Sequence, residues 1–257
     1  MPEFPEALAI PELPQASFTS FVASPQDGAR AVAFRFFHGA IPPTLSVREQ
    51  LAIAVAERII TRKLEPGLRI REAQLAEEFG VSKSPVSEAL GLLEHYGLIE
   101  TFAHRGAYVS RMSVADCDEL LEFRFALARS FLPRYVSVQD RADHEVLQRY
   151  LARLTELLSL DDSAFEFSEL TDRCLLFLAI RAGNARMTRA MSAISLQYLR
   201  YFAMATRTVR ERRLALAQWT ELAALLAARN TQRVLAHIEE AYQSRGAAIR
   251  ASIQAVA

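Results

Sequence analysis

The segment 70–111, IREAQLAEEFGVSKSPVSEALGLLEHYGLIETFAHRGAYVSR, constrains the fold more than any other part of the chain. Its apolar residues first recur at helical spacing in two short blocks, which Gly80 separates. Strand-like runs follow at 98–102 and 107–110, joined by a basic tip that contains glycine. Helix, tight turn, helix and β-hairpin predict a winged helix-turn-helix, a unit that places one helix in the DNA major groove.

Capping signals predict where these helices begin and end. Ser46, with Glu49 three residues later, forms a capping box that begins a helix before the segment. The next helix, over about 72–79, ends at Gly80, which suits the left-handed conformation after a helix. Either Ser82 or Ser84 begins the third helix.

The chain divides into three regions. Residues 1–45 are rich in proline and lack a sustained period, which predicts an extended or loosely docked arm; an upstream start codon chosen in error explains them equally well. Residues 46–112 are the winged helix. Residues 113–257 carry no strand signal that competes with helices, which are expected at about 114–137, 140–160, 163–182, 186–206, 208–229 and 231–255. The predicted fold class is mainly α, with a winged helix-turn-helix followed by an all-α bundle.

Composition excludes several classes of protein. A hydrophobic content of 51% excludes a wholly disordered chain, and the apolar runs are too short to cross a bilayer. No segment has the pattern of a secretory signal, and Cys117 and Cys174 have neither disulfide-framework nor zinc-site spacing, so a cytoplasmic protein is expected. The absence of a phosphate loop, a nucleophile elbow and a metalloprotease motif in the sequence argues against an enzyme.

The phrases LEPGLRIREAQLAEEFGVSKSPVSEAL, LLEHYGLIE and RGAYVS resemble the GntR-type winged-helix regulators. The helical remainder has a thinner resemblance to the FCD domain of the FadR branch, through ELLEFRFAL at 119–127 and AIRAGN at 179–184. The resemblance implies a homodimeric transcription regulator, by default a repressor, whose helical domain binds a small molecule. Its partner would be a double-stranded operator with an inverted repeat.

The same resemblance assigns candidate DNA contacts residue by residue. They lie at the start of the second helix, at the start of the recognition helix and at the wing tip: Arg71, Ser82, Lys83, Ser84, Ser87, His104, Arg105 and Gly106. Independently of the resemblance, short hydroxyls and backbone N–H groups at a helix N-terminus suit a phosphate. Since acidic and basic residues balance over the whole chain, charge placement rather than net charge must attract DNA.

Many members of this branch hold a divalent metal through an aspartate, a histidine four residues later and two further histidines. The matching positions here carry Thr171, Leu175, Trp219 and Ala241. Moving the first pair by one residue gives Asp172 and Leu176, and His237 lies one turn before the last position. Because no expected position carries an imidazole, neither a metal nor another cofactor is predicted.

Without a metal, the predicted ligand is a small organic effector, with a carboxylate as one candidate. Arg124, Arg173 and Tyr198 are its predicted polar contacts, over a floor of Leu175, Trp219 and Leu222. The alternative is that the arginines are surface residues and the aromatic residues are core. A second function also stays open: a helical ligand-binding or protein-interaction protein whose winged helix has weak or no specific DNA affinity. The balanced charge and Ser87 fit that reading.

The residues at the recognition helix predict an unusual operator. Lys83 and Ser87 stand where the GntR-type pattern has arginines. At both positions a planar guanidinium group, which can donate two hydrogen bonds to one guanine, is absent. Each lost bidentate contact removes about 1–3 kcal/mol of base discrimination. Selection from random duplexes should therefore return a half-site unlike the common guanine-containing one; recovery of that site at full preference would refute the prediction.

Overall fold

The computed structural model describes residues 45–160 and 163–255. An N-terminal unit contains α1 (Val47–Ile60), β1 (Arg69–Ile70), α2 (Glu72–Phe79), α3 (Lys83–His95), β2 (Ile99–Phe102) and β3 (Gly106–Val109). A bundle of six helices follows: α4 (Val114–Val138), α5 (Arg141–Leu157), α6 (Ala164–Arg181), α7 (Ala185–Ala205), α8 (Val209–Ala227) and α9 (Thr231–Gln254). The predicted fold class is confirmed, whereas the predicted arm, apart from Leu45, lies outside the described residues.

Several of the predicted caps form. The Oγ and the backbone N–H of Ser46 both donate to Glu49 Oε2 at 2.7 Å, and these two hydrogen bonds lower the pKa of that carboxyl. Gly80 ends α2 with φ 65°, and Ser82 rather than Ser84 is the residue that precedes α3, although its side chain makes no capping hydrogen bond. At the start of the bundle, the N–H of Asp116 donates to Ser113 Oγ at 3.1 Å.

The small sheet has the order β1-β3-β2 and is antiparallel throughout. β1 was missed from the sequence because two residues are too few to show an alternating period. It places Arg69 opposite Tyr108. At the other end of the hairpin, the N–H of Arg105 donates to Phe102 O at 3.0 Å, and His104 and Gly106 adopt φ 61° and 89°. This turn forms the wing tip.

Two hydrophobic cores form. One lies within the winged helix around Ile59, Leu93 and Leu98, and the other fills the bundle. Helix α7 contributes to both, because Leu196 and Leu199 are fully buried in the winged-helix core. Among the described helices, none is both long and apolar enough to cross a membrane.

The turn after α3 closely approaches α7. Gln197 Nε2 donates to Tyr96 O at 3.0 Å, and the neighbouring Gly97 has φ 65°. A Cβ added at Gly97 would overlap the amide of Gln197, whereas the space beside Gly80, also at φ 65°, is open. These two glycines therefore share a backbone conformation and differ in their surroundings.

Replacing each glycine separates backbone strain from crowding. Gly80→Ala should destabilise by about 1–2 kcal/mol, the cost of a left-handed alanine. Gly97→Ala should cost about 1 kcal/mol more, since the Gln197 hydrogen bond is also lost. Urea unfolding checks both values. In a Gln197→Ala background the two substitutions should cost the same, and a persistent gap would contradict this account.

Candidate nucleic-acid interface and bundle cavity

The N-terminal end of α3 is an exposed, hydroxyl-bearing face. Ser82, Lys83, Ser84 and Ser87 are all exposed, and no acidic residue lies in the first turn of the helix. The positive end of the helix dipole is therefore not neutralised by its own side chains. Further along, Glu88 lies near Arg48 at 3.8 Å and accepts a hydrogen bond from Ser84, so its charge is partly compensated. This end of α3 suits a phosphate.

The wing adds a second basic surface. His104 and Arg105 are exposed at its tip, and Gly106 is half-buried. Arg69 was not predicted, yet its Nη2 lies 3.7 Å from the position that a Cβ of Gly106 would occupy. Only the pairing of β1 with β3 brings Arg69 to the wing. Arg71 is exposed at the start of α2, directly after β1.

A cavity lies inside the bundle, between α6, α8 and α9. It has room for about one water molecule, about 10 Å³, and part of the surrounding space is open to solvent. Its lining residues are Leu175, Gln218, Trp219, Leu222, His237, Ile238, Ala241 and Arg245. The three apolar residues predicted as a floor, Leu175, Trp219 and Leu222, therefore meet here. Leu175, Trp219 and Ala241, three of the positions matched to the metal site of the branch, also surround this one cavity.

The predicted polar contacts lie elsewhere. Arg124 is 1% exposed and donates through Nη2 to Asp172 Oδ1 at 2.7 Å, with its guanidinium 3.8 Å from the centroid of the Tyr198 ring. Burial disfavours its charge, but the Asp172 carboxylate outweighs this, and the pKa of Arg124 is raised. Arg124 and Tyr198 are not among the cavity-lining residues.

Arg173 does not reach the cavity either. Its Nε and Nη2 donate to Glu169 Oε1 at 2.9 and 2.6 Å, one turn back along α6. Residues two apart on a helix lie on nearly opposite faces, so Arg173 cannot share the direction of Leu175. The sequence-based assignment of Arg173 to the cavity wall therefore conflicts with the helix geometry.

Two polar residues of the cavity wall, His237 and Arg245, were not predicted to lie there. They flank Ala241 at intervals of four residues on α9, so this helical spacing was the signal that would have found Arg245. His237 Nε2 donates to Gln218 O at 2.8 Å, and its Nδ1 lies 3.5 Å from Glu221 Oε2. The Nε2 of His237 thus has a hydrogen-bond partner in the protein.

Arg245 is in a different position. It is 8% exposed, and its guanidinium lies 4.9 Å from the ring centroid of Phe202 and 5.5 Å from that of Tyr242. Its Nε has no hydrogen-bond partner. Within 45–160 and 163–255, no carboxylate lies close enough to Arg245 for an ion pair. The cavity wall therefore carries a buried cation with aromatic contacts and no counter-charge.

Metal ligands do not converge in the part of the chain that the structure describes: no group of three or more His, Cys, Asp or Glu side chains could hold an ion. The cavity wall supplies one imidazole, and Leu175, Trp219 and Ala241 cannot coordinate. The residues of this cavity wall therefore do not fit a divalent cation.

The architecture is that of a winged-helix protein with an all-α C-terminal domain. Residues 47–109 match the family described as "Bacterial regulatory proteins, gntR family". Residues 47–109 are therefore similar to the DNA-binding region of GntR-type transcriptional regulators, and the relatives carry regulator names rather than enzyme names.

Two relatives and one solved structure show the extent of the similarity. YdhC of Bacillus subtilis, an uncharacterised HTH-type transcriptional regulator, is 33% identical over 36% of this chain and 42% of its own length. A probable D-xylose utilization operon transcriptional repressor of Paenarthrobacter nicotinovorans is 26% identical over 63% of this chain and 70% of its own. The structure of Escherichia coli McbR/YncC covers 80% of this chain and 98% of its own, with 20% identity and a TM-score of 0.67.

These matches carry different weight. The chain spans less than half the length of YdhC. The likeness to McbR/YncC extends through the bundle and shows a shared fold. Effector, operator and assembly are therefore matters for proposal.

The buried pair of Arg124 and Asp172 generates a stability prediction. Asp172→Ala leaves a guanidinium buried without its carboxylate and should destabilise by about 3–5 kcal/mol. Arg124→Met combined with Asp172→Leu removes both charges and should be closer to wild type than Asp172→Ala alone. Denaturant unfolding of the three proteins checks this; a double variant less stable than Asp172→Ala would contradict it.

Proposed function

We propose that the protein is a ligand-responsive transcription regulator that binds operator DNA as a homodimer and senses a small organic anion in its helical domain, without a metal. The observation that carries the proposal is Arg245, a buried and unpaired cation on the wall of a cavity. The bundle would then act as an FCD-type effector domain.

The charges around the cavity indicate the ligand class. Arg124 is paired with the Asp172 carboxylate, whereas Arg245 on the cavity wall has only aromatic contacts. One positive charge thus stays uncompensated, and an isolated buried charge is strongly unfavourable. A ligand with one negative charge would remove this penalty.

The unpaired polar atoms indicate the same chemistry. Arg245 Nε and Trp219 Nε1, on two residues that line the cavity, are buried without hydrogen-bond partners. Both nitrogens carry donors only. A carboxylate offers several acceptor oxygens to such a set.

The DNA-binding proposal rests on the exposed end of α3 and on the wing. Ser82 and Ser84 would contact phosphate, and Lys83 would reach guanine acceptor atoms in the major groove. Arg71, Ser87, His104, Arg105 and Gly106 complete the predicted contact set, to which the wing adds Arg69. Two copies related by a twofold axis would read half-sites about one helical turn, ~34 Å, apart.

Repression is the proposed direction of control. It is the default of the family that the sequence resembles, and one relative is named a repressor. A ligand changes DNA affinity only if it binds one arrangement of the DNA-binding heads better than another. Release of DNA therefore requires that the cavity and the heads be mechanically connected.

The alternative is a helical binding protein whose winged helix has little DNA affinity. The balanced charge of the chain and the short Ser87 side chain favour it. Salt dependence separates the two functions, because binding through several phosphates weakens steeply as salt rises.

DNA binding is tested with a duplex selected from a random library by the full-length protein. We expect affinity to fall by about 10³-fold or more between 50 and 200 mM salt. Lys83→Ala should lose about 1–3 kcal/mol of binding free energy on that duplex. Arg189→Ala, an exposed arginine of α7, is the control and should bind as wild type. Failure to select any duplex, or salt-independent binding, would favour the alternative.

The sensor proposal is tested by native mass spectrometry of the protein as purified, followed by titration with small monocarboxylates and their neutral amides. We expect a dimer that carries or takes up a carboxylate and ignores the amide. Arg245→Gln should weaken carboxylate binding about tenfold or more, since a charge-assisted pair is lost, while Arg189→Gln should not. A stoichiometric divalent metal, or equal binding of acid and amide, would refute the proposed site.

A further inference from the structure

Helix α7 has one face in each hydrophobic core. Leu196 and Leu199 pack inside the winged helix, whereas Tyr198 and Phe202 pack inside the bundle. The two rings stack with centroids 5.3 Å apart and an interplanar angle of 18°. Because both faces are close-packed, α7 cannot shift in one core without disturbing the other.

Polar contacts connect α7 to both DNA-reading elements. Gln197 donates to Tyr96 O, at the C-terminal end of the recognition helix α3. One turn later, Arg200 donates through Nη1 to Ser110 Oγ and through Nη2 to Ser110 O, both at 2.7 Å. Ser110 directly follows β3, the second strand of the wing. Its hydroxyl in turn donates to Gly97 O at 2.8 Å, so recognition helix and wing meet at one network.

The Arg200 contact has a high energetic cost. Arg200 is 5% exposed, its Nε has no partner, and burial lowers its pKa to about 10. Within the described residues no carboxylate lies within ion-pair distance of its guanidinium, which is bonded to neutral oxygens. A cation held in this way is only partly compensated for the loss of water. Because the hydrogen bonds only partly offset the loss of water, the contact gives little net stabilisation. Arg200 can therefore adopt another arrangement at a modest cost in free energy.

The opposite face of α7 contacts the residues of the sensor. Phe202 lies under the guanidinium of Arg245, which lines the cavity, and Tyr198 lies under that of Arg124. A change in the position of Arg245 therefore acts on α7 through one intervening aromatic ring. The opposite face of the same turn of α7 contacts the winged helix.

We propose that α7 transmits the state of the cavity to the DNA-binding head, and that Gln197 and Arg200 are the positioning residues that fix the recognition helix and wing on it. The inference rests on the proposed function, since it presumes that the cavity is the sensor. It assigns transmission to a direct packing contact between the domains, additional to the linker that joins β3 to α4.

The experiment uses side chains in place of the unidentified effector. Ala241→Met fills the cavity, and Arg245→Met removes its cation. Each is made in the full-length wild type and in a Gln197→Ala/Arg200→Met background, with Arg189→Met as the matched control for the loss of an α7 arginine. Thermal unfolding identifies any variant that fails to fold. If one of the two cavity variants does not fold, the other still provides the test.

Hydrogen–deuterium exchange of peptides covering 96–110 is the first readout and needs no DNA. We expect each cavity change to alter exchange there at least about fivefold in wild type, within the usual range of coupling between sites. In the Gln197→Ala/Arg200→Met background the change should fall below about twofold, and in Arg189→Met it should be undiminished. An equal response in all backgrounds, or none in wild type, would overturn the inference.

Affinity for the selected duplex is the second readout. A cavity change should shift the Kd at least about fivefold in wild type and less than about twofold when Gln197 and Arg200 are replaced. A merely structural role for these two residues would lower the unfolding temperature and leave the response to the cavity intact. If wild type binds no DNA while the exchange response is present, the proposed function fails and the transmission through α7 stands.

Discussion

The simultaneous burial of both faces of α7 is the constraint on which the rest of the structure depends. Leu196 and Leu199 complete the core of the winged helix, and Tyr198 and Phe202 complete that of the bundle. A helix that is apolar on two sides must be covered on two sides. The two domains are therefore held together by a shared packing element in addition to their covalent connection.

Buried arginines lie on α7 or contact its aromatic rings. Arg124 has its carboxylate in Asp172, Arg200 has neutral oxygens of Ser110, and Arg245 has aromatic rings. The electrostatic compensation decreases in that order, because a full counter-charge offsets desolvation better than dipoles or ring quadrupoles do. The least compensated cation lies on the cavity wall, where a ligand can supply the missing charge. The partly compensated one lies between the domains.

Local patterns predicted much of the candidate sites. Capping boxes and glycine stops indicated the helices, and the resemblance assigned Lys83 and the serines to the exposed end of α3. Leu175 and Trp219, which the resemblance predicted together, line one cavity. Arg173 was misplaced since its own helix turns it away, and Arg245 was overlooked although it shares a face with His237 and Ala241.

The sequence by itself determined the element types, the exposed end of the recognition helix and the loss of metal ligands, because each depends on residues close in the chain or on residue chemistry alone. Only the tertiary structure decided which arginine faces the cavity, that Arg69 joins the wing and that α7 contacts both domains. Those facts depend on pairings between distant segments, such as Gln197 with Tyr96, which no local period encodes. Burial then determines the free-energy cost of each arginine, because a guanidinium group loses no hydration at the surface and most of it in a core.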